Sequence, residues 1–263
     1  MTRILLLRYD TEGPANGDMD GFLEKAVAVH RAEGIPATFF CTGKALDQRE
    51  AEFRRFWAEV KDDPLFDLQD HSYTHIGVGY EAGQPVETLR ADYERSFAAH
   101  ERIFGKRPVG VSICGTSGRD GARLSGFDVT DKARQELDML AAMGLRMINT
   151  FLAGADEATE FCHFGRVGHP EIMGFPSAYS DTSWMARAAS AEEAVAFILD
   201  TMASHAAREA HMPVLLHDWC AWTRAGDKEL THVKRIAAQA RKLAYDMRTH
   251  AACLDDKALW KQR

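Results

Sequence analysis

The chain reads as an α/β protein whose parallel sheet is rolled into a barrel. Three observations predict this. Apolar runs of strand length alternate with amphipathic stretches of helix length about seven or eight times, the signature of repeated βα units. No long linker or low-complexity stretch breaks the alternation, so residues 1–263 read as a single domain. Acidic residues and histidines fall where the strands end, and in a βα barrel those ends share one rim.

The first strand is the apolar run Ile4 to Tyr9, halted at Asp10-Thr11-Glu12-Gly13-Pro14. Leu23, Ala26, Val27 and His30 recur at helical spacing within Phe22 to Glu33, and Gly34 stops that helix. Ala37 to Thr42 is the second strand, and Glu50 to Lys61 a helix with Phe53, Phe56, Trp57 and Val60 on one face. Leu65 to Gln69 alternates apolar and polar residues and delivers Asp70-His71-Ser72-Tyr73-Thr74-His75. A long helix runs from Val86 to Phe104 and ends at Gly105. Next come a strand over Pro108 to Cys114, a glycine-rich loop to Gly126, a helix over Thr130 to Met143 and a strand over Leu145 to Phe151. Residues 153–170 are irregular, with room for one short strand. The remaining elements are a strand at Glu171 to Phe175, a helix at Ala191 to Glu209, a buried strand at Val214 to His217 and a closing amphipathic helix at Leu230 to Met247.

Composition excludes several classes. A net charge of -7 argues against nucleic acid or an anionic membrane surface as partner. The first eight residues hold an apolar run of only four, too short for an export signal or a membrane span. The five cysteines include no C-x-x-C pair, so they read as reduced thiols. A cytoplasmic protein without a transmembrane segment is expected; a homo-oligomer is compatible with the sequence but not specified by it.

The chemistry centres on His71 and His75. Two imidazoles four residues apart can reach one cation if a helical turn puts them on one face. The plainer alternative is a chance pair among 11 histidines. Asp10 and Glu12, two apart on an extended chain, point the same way as Arg8, toward the barrel axis. One carboxylate can complete a metal shell while the other serves as general base; the plainer alternative is a turn pair before Gly13-Pro14. A bound cation would lower a water's pKa to roughly 7 and polarise an acyl carbonyl. His217, at another strand end, can act as general acid. Arg8, Ser112, Cys114, Asp181, Trp184 and Trp219 also fall near strand ends and are candidate substrate contacts. Trp184 and Trp219 offer faces for a sugar ring, whereas Trp222 reads as buried surface.

These motifs, in this order, resemble the polysaccharide deacetylase family, the NodB-homology or carbohydrate esterase family 4 domain. The likeness runs from Ile4 to about Ala251 and rests on Asp10-Thr11-Glu12, Gly34-Ile35-Pro36-Ala37-Thr38-Phe39-Phe40, His71-Ser72-Tyr73-Thr74-His75, Phe104 to Gly110, and Leu215-Leu216-His217-Asp218. It implies a distorted, incomplete (β/α)7-type barrel and a metal-dependent hydrolase of amide C–N bonds. Asp10 is then the base, Glu12, His71 and His75 the metal ligands, and His217 the acid. The expected substrate is an N-acylated sugar or a small amide, losing acetyl or formyl. The expected ion is zinc, with cobalt, nickel or manganese as alternatives. The sequence departs from the family at its third motif, where Ser112 stands in place of an arginine and Cys114 in place of a proline. Arg8 is the candidate substitute for that cation. The rival expectations are a catalytically silent relative that binds a glycan or a protein, and a metal-independent hydrolase on the same barrel.

Overall fold

The computed structural model describes residues 2–13, 19–78, 83–114, 130–149, 161–177, 179–182 and 190–260. Ten strands form one sheet: β1 Ile4–Thr11, β2 Ala37–Cys41, β3 Phe66–Asp70, β4 Gly110–Ser112, β5 Met147–Asn149, β6 Cys162–Phe164, β7 His169–Phe175, β8 Tyr179–Ser180, β9 Met212–His217 and β10 Asp246–Arg248. The order is β6-β7-β5-β4-β3-β2-β1-β9-β8, with β10 paired beside the start of β1. Every pairing is parallel except β6 with β7. No pairing joins β8 to β6 or β7 among the described residues, so the barrel is open there. The helices are α1 Phe22–Glu33, α2 Gly43–Gln48, α3 Glu50–Val60, α4 Val86–Phe104, α5 Asp131–Ala142, α6 Ala191–Ala207, α7 Thr231–Lys242 and α8 His250–Asp255.

The alternation within β1 organises the interior. Leu5, Leu7 and Tyr9 point outward into the core shared with α1, α3 and α7. Ile4 and Leu6 point inward and join Met147, Met173, Phe175 and Leu254 in an apolar plug at the amino end of the barrel. Arg8 and Asp10 continue that inward file, and both are buried. The barrel is therefore greasy at its base and charged at its carboxyl rim.

Two expectations need correction. The closing helix ends at Lys242 instead of Met247. Ala244 adopts a left-handed conformation (φ 54°) that breaks the helix, and Asp246–Arg248 leave to pair with β1. The histidine pair is not on a helical turn either. Ser72 and His75 both have φ near +60°, a region that non-glycine residues enter only when surroundings force it.

Candidate active site

Local hydrogen bonds impose that conformation. Asp70 accepts from the Ser72 N–H (2.7 Å) and from the Ser96 hydroxyl. Asp92 of α4 accepts from the N–H groups of Tyr73 (2.7 Å) and Thr74 (3.2 Å) and from the Thr74 hydroxyl (2.5 Å). The Ser72 carbonyl accepts from Gly43 at the start of α2 (2.9 Å). Gly43 is required there, because a Cβ would lie 2.6 Å from the Tyr73 ring and 2.8 Å from Ser96. The loop thus folds His75 back against His71, ring centroids 4.9 Å apart and edge to face.

Asp10, Glu12, His71, His75 and His217 converge. His75 Nε2 lies 3.2 Å, His71 Nε2 3.7 Å and His217 Nε2 4.0 Å from Glu12 Oε1. His71 Nε2 is also 3.6 Å from Asp10 Oδ2. His71 Nδ1 donates to the Ser112 carbonyl (2.8 Å), which aims Nε2 at the carboxylates and makes it the ring nitrogen that would meet a cation. Tetrahedral nitrogen and oxygen ligands about 2.0–2.1 Å from a cation are separated by about 3.3–3.4 Å. The two distances from Glu12, to His75 and to His71, stand within a few tenths of an ångström of that spacing, so the set fits a divalent ion.

Cys114 is part of the same cluster, although nothing in its sequence neighbourhood provides a histidine. Donor atoms of His71, His75 and Cys114 lie within 4.8 Å of one another. The sulfur sits 3.5 Å from His71 Nδ1 and 3.8 Å from Nε2, and its thiol donates to the His71 carbonyl (3.3 Å). The sulfur stands about as far from His71 Nε2 as Glu12 Oε1 does, which places Cys114 as a further donor in the same cluster.

Charges in the cluster are strongly coupled. Burial would raise the Glu12 carboxyl, but hydrogen bonds from His71 and His75 hold it well below its ordinary range. The Cys114 sulfur and the Glu12 carboxylate push His75 up to about 10. Burial pulls His217 down, yet the Asp181 carboxylate outweighs it and the imidazole rises to about 9. Asp181 accepts from His217 Nδ1 (2.6 Å) and from its backbone N–H (2.7 Å), so Nε2 faces the cluster.

The other candidates fall into supporting positions. Ser112 donates its hydroxyl to Asp10 Oδ2 (3.0 Å). Trp219, expected as a sugar platform, gives its indole N–H to Glu12 Oε2 (2.8 Å). Asp218, which follows His217 in the last motif, accepts from the N–H groups of Glu12 (3.2 Å) and Gly13 (3.1 Å). Burial pushes the Asp218 carboxyl up to about 7 against the pull of those donors. Arg8 approaches Asp10 at 3.6 Å, Nε to Oδ1. Burial lowers its guanidinium from the ordinary arginine value, and the Asp10 charge works the other way. Trp184 and the glycine-rich loop from residue 115 lie outside the described residues. Trp222 is a core side chain, edge to face with Phe22 at 5.7 Å.

Residues 3–124 match the family profile described as polysaccharide deacetylase. No curated protein matches the chain. Among solved structures, a protein of Mycobacterium smegmatis assigned to the polysaccharide deacetylases superposes with a TM-score of 0.73 at 12% identity, over 100% of this chain and 92% of its own. The family 4 carbohydrate esterase of Streptomyces lividans, solved with acetate, gives 0.55 at 15% identity, over 93% and 92% of the two chains. A family 4 pseudoenzyme from Bacillus anthracis gives 0.54 at 13% identity, over 97% of this chain and 66% of its own. At such identities these structures establish the fold, an α/β barrel of the NodB type. The profile match extends from β1 through the histidine pair, so the amino-terminal part of the chain carries the sequence pattern described as polysaccharide deacetylase on a fold shared with those structures.

Proposed function

We propose that this protein is a metal-dependent hydrolase that removes a small acyl group, acetyl or formyl, from the nitrogen of an N-acylated sugar or a small amide. The observation that carries the reading is the convergence of a base and an oriented acid on one donor set. Glu12, His71 and His75 would hold a divalent ion, zinc being the best match to two imidazoles and a carboxylate. When bound, the ion supplies Lewis-acid polarisation of the acyl carbonyl and makes water more acidic.

The chain's own groups supply the rest. Asp10, beside His71 and held by Ser112, takes a proton from the attacking water. His217 carries its proton on Nε2 at neutral pH because Asp181 stabilises the imidazolium. It gives that proton to the departing amine, which is a poor leaving group unless protonated. Cys41, Cys114, Cys220 and Cys253 are buried free thiols, which supports a reducing compartment and hence a cytoplasmic substrate pool.

A panel of N-acetyl and N-formyl sugars and small amides, assayed for acetate and formate release before and after chelation, tests the reading. Release that chelation abolishes is expected; release that survives chelation would contradict it. The second reading, a silent relative that binds without turnover, has one observation in its favour: Ser112 stands where the resemblance places an arginine. Tight binding of panel compounds with no hydrolysis by the metal-loaded protein would support it.

A further inference from the structure

We propose that Arg8 is the positioning residue of Asp10, pressing on the carboxylate from beneath while Ser112 holds it from the side. The proposal deepens the functional reading above and rests on Asp10 acting as base.

Arg8 is 2% exposed and Asp10 is 4% exposed. None of the three guanidinium nitrogens has a hydrogen-bond partner among the described residues, and neither does Asp10 Oδ1. The contact between them, 3.6 Å from Nε to Oδ1, is the only approach of a carboxylate within ion-pair distance of Arg8 among the described residues. Arginines that serve the fold behave differently here. Arg248 bonds Asp246 and Asp256 at 2.7 Å each, and Arg31 bonds Asp63 at 2.8 Å and Glu59 at 2.7 Å. Both keep part of their surface in water.

The position itself favours another residue. Ile4 and Leu6, on the same inward file, belong to the apolar plug, and a leucine or methionine at position 8 would extend it. Burying a guanidinium without forked hydrogen bonds is unfavourable for folding. Arg8 has a neighbour in Phe40, whose ring centroid lies 5.8 Å from the guanidinium carbon, but a methionine could pack there as well. What an apolar side chain could not do is attract the free oxygen of Asp10. The carboxylate thus has a hydroxyl bonded to Oδ2 and a cation 3.6 Å from Oδ1. The cation reaches it from β1, two residues earlier on the strand, and β4 contributes only a hydroxyl.

The test compares wild type with Arg8→Met and Arg8→Lys in steady-state hydrolysis, metal content and crystal structure. Lysine keeps the charge within reach; methionine keeps only the length. The expected result is a kcat about a hundredfold lower for Arg8→Met, the scale of effect seen when a reacting group is displaced by about 1 Å. KM and bound metal should stay within twofold of wild type, and Arg8→Lys should recover most of the loss. In the Arg8→Met crystal structure the Asp10 carboxylate should have turned away from Ser112. Unchanged kcat in Arg8→Met, or Arg8→Lys as slow as Arg8→Met, would overturn the proposal. If Arg8→Met does not fold, Arg8→Gln takes its place with the same criteria. If wild type itself hydrolyses nothing, the functional reading fails, and the orientation of Asp10 still decides this one: a carboxylate left in place on Ser112 refutes it.

Discussion

Replacing Trp219 with phenylalanine is the cleanest probe of how the metal ligands are held. The substitution keeps an aromatic ring and deletes one donor, the indole N–H that reaches Glu12 Oε2 at 2.8 Å. That bond fixes the carboxylate with Oε1 turned toward His75 and His71. A hydrogen bond to a charged group contributes about 1.5–3 kcal/mol. If the free carboxylate rotates, that energy is missing from ion binding, which corresponds to about a 10–150-fold weaker metal affinity. Loss of an outer hydrogen bond on a ligand has the same typical scale, about 10–100-fold. The assay is competition with a chromophoric chelator, using zinc and then cobalt, on wild type and Trp219→Phe. Circular dichroism should match, because the half-buried Trp219 lies at the edge of the core. An affinity within twofold of wild type would refute the idea that Trp219 orients Glu12, and would return it to the role of a substrate contact.

Four further outcomes are expected. Asp181→Asn should lower kcat and move the alkaline limb of the pH profile to lower pH, because the carboxylate that raises His217 to about 9 is gone; an unmoved limb would exclude His217 as the acid. Metal uptake should release protons and strengthen as pH rises from 6 toward 8, since His75 is held protonated up to about 10 in the free protein and must lose that proton to bind; calorimetry in buffers of different ionisation enthalpy counts the protons. Asp227→Ala should destabilise the fold by about 1–2 kcal/mol, because Asp227 caps α7 through the N–H groups of Thr231 (3.0 Å) and His232 (3.1 Å). The Asp227 carboxyl is held below its ordinary range, since those donors and His232 outweigh burial. Its contribution is therefore present above about pH 4, the ordinary aspartate value, and is lost as pH falls further, as urea titrations at pH 7 and pH 3 would show. Gly43→Ala should cost about 1–3 kcal/mol and weaken metal binding, because its Cβ would push into Tyr73 and Ser96 beneath the histidine loop.

Most of the barrel was legible because hydrophobic period and strand-end polarity are local signals. The inward direction of Arg8 and Asp10 followed from the two-residue repeat of β1 alone. The spacing of His71 and His75 correctly paired two side chains that meet in space, but for a different reason from the one inferred. A chain of side-chain acceptors, Asp70 and Asp92, folds that loop into left-handed turns, and no helix is involved. The Asp181–His217 pair, the Trp219–Glu12 bond and the seat of Cys114 against His71 were out of reach, because each joins residues 36 to 207 positions apart. Sequence placed Asp181, Cys114 and Trp219 near the site as substrate contacts; only the fold shows what each one touches. The end of the closing helix was missed because Ala244 carries no helix-breaking signal, and its conformation follows from the pairing of β10 with β1.

The most direct measurement is elemental analysis of the purified protein, with Glu12→Ala and His75→Ala beside it. The account predicts close to one zinc-like ion per chain in wild type, as purified or after reconstitution with zinc or cobalt, and loss of that ion in both variants. A wild-type protein that takes up no ion under either condition, or variants that retain it fully, would contradict the metal site on which the proposed hydrolysis depends.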